Sequence, residues 1–163
     1  MISEEFVPAK NVDVLGKNYK IVYAYEKDYP KLTDTDSTGL CEVYANKIII
    51  KNIVKDKSTY DNIEDFSRET LRHEIAHAFI HESGYNLSAE DEENLVIWIS
   101  TMFEGLAVAY ASTGALSTKT KMAIKKAFDK YKHDNDKNND NDSGLSSTFY
   151  DNEVENGIES FES

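Results

Sequence analysis

Only one cysteine, Cys41, occurs among the 163 residues. A single cysteine excludes any disulfide within the chain and any zinc cluster built from several thiolates. We therefore expect Cys41 to act as a small, buried, apolar residue.

The chain also has no long apolar run, and its first residues are not expected to form a secretory leader. Hydrophobic residues make up 40% and charged residues 29%, as in a soluble globular protein. No apolar run approaches the ~20 residues of a membrane helix. The first residues, MISEEFVPAKNVDV, carry acids where a secretory signal carries positive charge, and no apolar segment follows. We expect a cytoplasmic protein with no membrane partner.

Positive charge is scarce as well. The 18 Lys and Arg are outnumbered by 30 Asp and Glu, which gives a net charge of −12. Nine acids and one lysine fall in residues 133–163, so a charge of −8 lies in the last part of the chain. No stripe of Lys or Arg is present to displace counterions from a phosphate backbone, which excludes nucleic acid as an expected partner.

The length allows one compact domain with a core, but hardly two. Residues 133–163, which begin HDNDKNNDNDSGLSS, are polar and of low complexity, with too few apolar residues to fold alone. The sequence predicts a folded domain over residues 1–132 and a disordered acidic tail over residues 133–163. Four apolar residues among the tail's acids leave docking onto a protein partner or the cleft as an alternative: Phe149, Val154, Ile158 and Phe161.

The first third of the sequence predicts a small antiparallel sheet. Residues 12–25, VDVLGKNYKIVYAY, alternate apolar and polar, which indicates one strand or a hairpin that turns at residues 15–18. LCEVY (residues 40–44) and KIIIK (residues 47–51) predict a second hairpin, with Asn46 in the left-handed conformation of its turn.

Beyond residue 63 the apolar residues recur at helical spacing. The pattern predicts a helix over residues 63–83, which Gly84 ends. Ser88, with Asp91 three residues later, is typical of the N-cap of a second helix, which we expect to end near Ser112. A third helix is predicted over residues 119–131.

The segment LRHEIAHAFIHESGY, residues 71–85, contains the HExxH pattern. On a helix His73 and His77 lie one turn apart on the same face, so both rings can reach one zinc ion at ~2.0–2.1 Å. Glu74 lies beside the first ligand, where it can reach a water on the ion and act as a general base. His81 lies ~12 Å along a straight helix from His73, which excludes it as a ligand and places it near a loop or the cleft.

The third zinc ligand is expected from the following helix. That helix returns antiparallel, so one turn in, near Glu92 and Glu93, it is level with His77. Four acids qualify by distance: Glu90, Asp91, Glu92 and Glu93. Acids in a first turn are also favoured by the helix dipole alone. Geometry favours Glu93, with Glu92 as the alternative.

The segment LRHEIAHAFIHESGY, followed by DEENLVIWIS, resembles the minimal zincin metallopeptidases of phages and prophages, which are related to the ImmA/IrrE-type metallopeptidases. The resemblance covers residues 16–110. It implies an α+β fold in which a small antiparallel sheet packs on the HExxH helix and the helices that follow. It also implies that Glu93 is the third ligand, although Asn94 and Ile97 stand where relatives carry further acids.

Two histidines and one carboxylate leave a zinc position open, as in catalytic sites. We expect a zinc-dependent metallopeptidase of the bacterial host cell that hydrolyses a protein or peptide substrate, with Glu74 as the base. By resemblance, the substrate lies along residues 47–51 as a sheet edge. Three residues stay open for stabilising the oxyanion: Tyr85, Tyr110 and His81. The alternative is a non-catalytic phage or prophage structural or binding protein whose zinc only joins sheet to helices. The presence of Glu74 favours the enzyme, since a structural zinc does not need it.

Overall fold

The computed structural model describes residues 9–53 and 63–142 of the chain. It divides the chain into two compact units, Met1–Lys121 and Met122–Ser163. The strands are β1 (Asn11–Val14), β2 (Lys17–Ala24), β3 (Gly39–Glu42) and β4 (Lys47–Lys51). The helices are α1 (Lys31–Asp34), α2 (Ile63–Ser83), α3 (Ala89–Ser112) and α4 (Thr118–Asp142). The α+β class is confirmed, and the domain boundary after residue 132 stays a prediction.

Strands β1 and β2 form the first predicted hairpin. Leu15 and Gly16 connect them with φ angles of 52° and 90°, which is the two-residue turn whose twist matches that of the strands. The register pairs Val14 with Lys17. Because side chains alternate along a strand, the buried Tyr19 and Ile21 lie on the same face. The hairpin alternative is therefore confirmed, but its turn is residues 15–16 and not residues 15–18 as predicted.

The sheet is mixed, not purely antiparallel as expected. Its strand order is β1-β2-β4-β3, and β2 pairs with β4 in parallel. The β3–β4 hairpin is antiparallel as predicted, and Asn46 is left-handed in its turn at a φ of 47°. The chain between β2 and β3 contains a 3-10 turn and α1. This longer connection lets the second hairpin place β4 parallel to β2, whereas a tight turn would force an antiparallel pair.

The expectation that residues 47–51 form the sheet edge is wrong. Strand β4 lies between β2 and β3, and all three of its isoleucines are at most 1% exposed: Ile48, Ile49 and Ile50. A strand buried on both faces is stable in the middle of a sheet. The edge beside β4 is instead β3, the strand that also adjoins α2.

Helix α2 packs against the sheet on one side and against α3 on the other. Ala78 joins the core of the sheet with Ile48 and Ile50, whereas Ile80 packs with Val96 of α3. Each fully buried isoleucine contributes on the order of 2 kcal/mol to folding. The Tyr19 hydroxyl on β2 donates a hydrogen bond of 2.6 Å to the Glu82 carboxylate, which attaches the C-terminal end of α2 to the sheet.

Two residues predicted to end α2 and to begin α3, Gly84 and Ser88, are confirmed in those roles. Gly84 follows the last residue of α2 with a φ of 71°, a conformation that a residue with a Cβ rarely adopts. Ser88 caps α3, because its hydroxyl oxygen accepts a hydrogen bond of 3.1 Å from the Asp91 amide. The resulting connection is short and turns α3 back along α2.

Helix α4 is longer than predicted. The sequence placed its end at residue 131, but it continues to Asp142, through residues that were expected to belong to a disordered tail. Residues 132–142 contain no proline or glycine that would end a helix. The rest of the predicted tail, residues 143–163 with its four apolar docking candidates, lies outside the described residues.

Within the described part of the chain, α3 is long and apolar enough to cross a membrane, with a mean hydropathy of 1.5 over 18 residues. The sequence had predicted no apolar stretch of that length. Only 11% of that stretch is buried, so most of the apolar side chains of α3 are exposed. The absence of a membrane partner and the cytoplasmic location stay predictions.

Candidate metal centre

Helix α2 brings the two predicted histidines together. The Nε2 atoms of His73 and His77 lie 3.2 Å apart, and the two ring centroids are 4.9 Å apart. This proximity follows from the four-residue spacing, which places both side chains one turn apart on one face. Burial lowers the pKa of the His73 imidazole, although the nearby Glu93 carboxylate raises it. The neutral form is the one that binds a metal ion.

Glu93 completes a three-residue group from the opposite helix. One carboxylate oxygen lies 3.5 Å from His73 Nε2, and the other lies 3.4 Å from His77 Nε2. The ligand atoms of all three residues lie within 4.8 Å of one another. The three predicted ligands therefore meet in one place.

The two histidine nitrogens have the spacing of two ligands on a tetrahedral zinc ion. Bonds of ~2.0–2.1 Å at tetrahedral angles separate two ligand atoms by about 3.3 Å. The two Nε2 atoms are 3.2 Å apart. The 3.5 Å and 3.4 Å contacts of Glu93 are made by its two different oxygens, and one ligand atom from each of the three residues lies within 4.8 Å of the others. Two imidazole nitrogens and one carboxylate are also the donors of catalytic zinc sites, which leave a fourth position open. The residues present therefore fit zinc.

Two contacts between the helices set the register that selects Glu93. Arg72 of α2 donates hydrogen bonds to the Ser100 carbonyl oxygen at 2.9 Å and to the Glu104 carboxylate at 2.7 Å. The Ser88 cap fixes where α3 begins. Between these two points, one turn into α3, the Glu93 carboxylate lies near both histidines.

Glu92 lies beside the site and binds the other side of an imidazole ring. Its carboxylate lies 2.7 Å from His77 Nδ1. The Nδ1–H group donates this hydrogen bond, which leaves the Nε2 lone pair directed at His73 and Glu93. Adjacent helical residues are rotated by about 100°, so Glu92 and Glu93 reach different sides of His77. Glu92 therefore positions a ligand, a role that no signal in the sequence indicated.

Glu74 is a buried carboxylate on the wall of the cleft, 6% exposed. Burial raises the pKa of Glu74 to about 7, although the His77 imidazole lowers it; the Glu93 carboxylate raises it further. A cation bound by the neighbouring ligands would favour the carboxylate form and lower this pKa again. Glu74 is thus placed as a base whose charged form depends on the ion beside it.

Gly39 at the start of β3 leaves the space that Glu74 occupies. A Cβ atom there would lie 2.6 Å from Glu74 Oε1, 2.8 Å from Glu74 Cγ and 2.8 Å from Thr70 Cγ2. Real Cβ atoms do not approach other atoms this closely. The edge strand therefore approaches α2 at this point because residue 39 has no side chain.

Gly39→Ala is expected to displace the Glu74 side chain and to destabilise the fold by about 1–3 kcal/mol, because the extra methyl group overpacks the contact. Adding Thr70→Ser to the Gly39→Ala variant removes Thr70 Cγ2, one of the atoms that the new methyl group would contact. The double variant should therefore recover part of the lost stability. Gly105→Ala is the control, since a Cβ at Gly105 meets nothing within 4 Å. Urea denaturation measures all three. An unchanged midpoint for Gly39→Ala would contradict the close approach.

The metal group lies in an open cleft of about 610 Å³. One wall is residues 36–41 with Val43, which includes most of edge strand β3. The other wall is formed by α2 and the first half of α3, including His73, Glu74 and Glu93. A chain segment that paired with β3 would therefore pass directly beside the two histidines.

Three of the predicted functional residues do not line this cleft: His81, Tyr85 and Tyr110. His81 is exposed and its ring meets the Tyr44 ring edge-on, with centroids 5.7 Å apart. His81 is outside the metal group, as the sequence predicted. The lining of the cleft therefore gives no support to any of the three as the residue that stabilises the oxyanion. Cys41 is partly buried and lines the cleft.

The position of β3 is the part of the site that sequence reasoning missed. The sequence contained two usable signals. The unbroken run Ile48-Ile49-Ile50 is typical of a strand buried on both faces, and Gly39 within a strand is typical of a close approach. Together they indicate that β4 is central and that the strand beginning at Gly39 lies against the HExxH helix.

Comparisons of the chain with models of protein families, with curated proteins and with solved structures find no match. The resemblance to the minimal zincin metallopeptidases therefore stays a prediction, which rests on the HExxH segment and on the residues around it.

Proposed function

We propose that this protein is a zinc-dependent metallopeptidase, similar to the minimal zincins of phages and prophages and to the ImmA/IrrE-type enzymes. The observation that carries the proposal is the convergence of His73, His77 and Glu93, whose ligand atoms lie within 4.8 Å of one another, beside the buried carboxylate of Glu74. Such a donor set suits an ion that retains an open position for chemistry.

Each residue of the centre has one role in the proposal. His73, His77 and Glu93 hold the ion, and Glu92 keeps His77 in the required tautomer and orientation. When bound, zinc supplies Lewis acidity toward water and toward the carbonyl group of a peptide bond. Glu74 accepts a proton from the attacking water and then delivers it to the amine of the leaving peptide.

Edge strand β3 is the proposed binding site for the substrate backbone. In the sheet it is paired with β4 on one side, and its residues line the cleft on the other. An extended peptide can therefore add as a further strand, with hydrogen bonds from the backbone holding the scissile bond near Glu74. This assigns to β3 the function that the resemblance had placed on residues 47–51.

Glu74 and Gly39 favour an enzyme over a structural zinc protein. A zinc ion that only joined sheet and helices would not need Glu74, which is not a ligand. It would not need Gly39 either, which leaves the space that Glu74 occupies. Burying a carboxylate beside another acid raises its free energy. A protein without chemistry to perform would be more stable with an apolar residue at position 74.

A cleavage screen tests the proposal. Purified protein loaded with one equivalent of zinc is incubated with a denatured bacterial proteome, and new peptide termini are identified by mass spectrometry. We expect cleavage at recurrent sites, loss of cleavage after chelation, and its return when zinc is restored. Cleavage that survives chelation would indicate a contaminant, and a complete absence of zinc-dependent cleavage would contradict the proposal.

A further inference from the structure

We propose that residues 149–162 of this chain dock on α4, along an apolar stripe that lysines border on both sides. The inference is independent of the proposed peptidase function, because neither α4 nor these residues belong to the metal centre. It names α4 as the docking site, in place of the cleft and the separate protein that the sequence left open.

Helix α4 carries the apolar stripe on one face. The residues of the stripe recur at helical spacing: Ile124, Ala127, Phe128 and Tyr131. Ile124 is 55% exposed and Phe128 is 54% exposed. An amphipathic helix normally buries such a face, because burial of apolar surface is favourable. The stripe is therefore a candidate docking surface.

Six exposed lysines border the stripe. At about 100° per residue, three lie along one side of it and three along the other: Lys119, Lys126 and Lys130, and then Lys121, Lys125 and Lys132. Residues 118–132 contain one acid, Asp129, so their net charge is 6 − 1 = +5. Lys132 Nζ lies 5.0 Å from the centroid of the Phe128 ring. The pattern therefore favours an occupant with an apolar centre and acidic edges.

The C-terminal part of the chain has that complementary pattern. Residues 143–163 contain five acids and no lysine or arginine, which gives −5 against the +5 of α4. Their apolar residues Val154, Ile158 and Phe161 recur at the spacing of one helical face. A glutamate directly follows each of the three: Glu155, Glu159 and Glu162. Acids would therefore border an apolar stripe, as lysines do on α4.

The two stripes also match in length, and the chain between them is long enough. Ile124 to Tyr131 and Val154 to Phe161 each span seven positions, or ~10 Å of helix. The end of α4 at Asp142 lies ~17 Å along the axis from Tyr131. The twelve residues from Asp142 to Val154 can span up to ~40 Å. The segment can therefore return along the helix that precedes it.

Covalent attachment and charge favour this occupant over two others. A tethered segment has an effective concentration in the millimolar range, which a separate partner has to supply by itself. The α4 helix of a second copy carries the same lysines and would be repelled. An anionic lipid surface would attract the lysines but repel the nine acids of residues 133–163. The chain's own acidic segment meets neither objection.

Amide hydrogen exchange of the full-length protein, followed by mass spectrometry, tests the docking. Its reference is a free peptide of residues 149–162. We expect the amides of these residues to exchange about tenfold or more slowly in the protein than in the peptide. A carbodiimide, which joins a carboxylate to an adjacent amine, should link glutamates of the segment to lysines of α4 within monomeric protein.

Charge reversal and rescue test the site on α4. Lys126→Glu with Lys132→Glu changes one lysine on each side of the stripe, and should return exchange to within about twofold of the free peptide. Adding Glu155→Lys with Glu159→Lys should restore the slow exchange, which a role of the lysines in α4 alone would not produce. Circular dichroism checks that α4 is retained.

Lys10→Glu with Lys20→Glu is the matched control. It makes the same change of charge at two exposed lysines outside α4. The segment should exchange as slowly in this variant as in the wild type, because the control leaves both stripes intact. An equal loss of protection in the control would show that only the net charge of the chain matters, and would overturn the docking site.

The other outcomes are equally decisive. Exchange of residues 149–162 at the free-peptide rate in the wild type would overturn the docking. Protection that survives the charge reversal would overturn α4 as its site. Cross-links found only between chains would assign the stripe to the segment of a second copy. Protection of α4 that arises only with phosphatidylglycerol vesicles would assign the stripe to an anionic membrane, and would overturn the proposal.

Discussion

Glu74→Gln is expected to lower the turnover of a peptide substrate by about 10²-fold or more while zinc stays bound. Glutamine has nearly the same shape as glutamate, so it should fit the space beside Gly39 without the clash that a larger residue would cause. A neutral amide has no usable basicity, and therefore cannot take a proton from water. The change removes the proposed chemistry and retains the proposed structure.

The measurement is kcat/KM for the wild type and the variant at equal zinc occupancy, with a peptide from the cleavage screen. Glu90→Gln is the control, because Glu90 is exposed in the first turn of α3 and lies outside the cleft. It should change kcat/KM less than twofold. Equal activity of wild type and Glu74→Gln would remove the peptidase assignment and favour a binding protein with a structural zinc.

Loss of the ligands should have the largest effect on zinc itself. His73→Ala or His77→Ala is expected to abolish stoichiometric zinc, and Glu93→Ala to weaken it strongly, because each removes one of the three protein donors. Glu92→Gln should cost about 10–100-fold in affinity, since it weakens only the hydrogen bond to His77 Nδ1. Competition with a chromophoric chelator measures each affinity.

His81→Ala is the control of this series, because His81 is exposed and lies outside the metal group. It should leave the zinc affinity unchanged. Should Glu93→Ala leave the affinity intact while Glu92→Ala destroys it, the register of α3 on α2 differs from the one described. That outcome would exchange the roles of the two neighbouring glutamates.

Local signals in the sequence predicted the local structure. The left-handed Asn46 and the glycine that ends α2 both depend on backbone conformations that only a few residue types favour. Ser88 likewise sets the start of α3 through a hydrogen bond within four residues. Features of this kind can be read from a sequence because the interaction is completed by near neighbours in the chain.

The order of the strands could not be predicted in the same way. The parallel pairing of β2 with β4 depends on the path of residues 25–38, which contain no signal for a partner strand. A parallel pair requires a crossover connection, and its partner is decided by burial of the whole sheet. The prediction of a purely antiparallel sheet therefore failed at the longest connection between strands.

The same distinction between local and long-range interactions applies to the candidate site. His73, Glu74 and His77 come from one helix, so their spacing alone predicted their arrangement. Glu93 comes from a second helix, and its choice over Glu92 depends on a rotation of about 100° that long-range contacts of Arg72 help to fix. The space at Gly39 depends on a strand more than thirty residues away in the chain, which no local pattern specifies.

The central claim is that two histidines and one glutamate hold a zinc ion with an open fourth position. X-ray absorption at the zinc edge of the purified, zinc-loaded protein tests it most directly. The account predicts four nitrogen or oxygen neighbours at ~2.0–2.1 Å, two of them imidazoles, and no sulfur at ~2.3 Å. A sulfur neighbour would implicate Cys41, which lines the cleft. That result, or a spectrum without two imidazole ligands, would contradict the account.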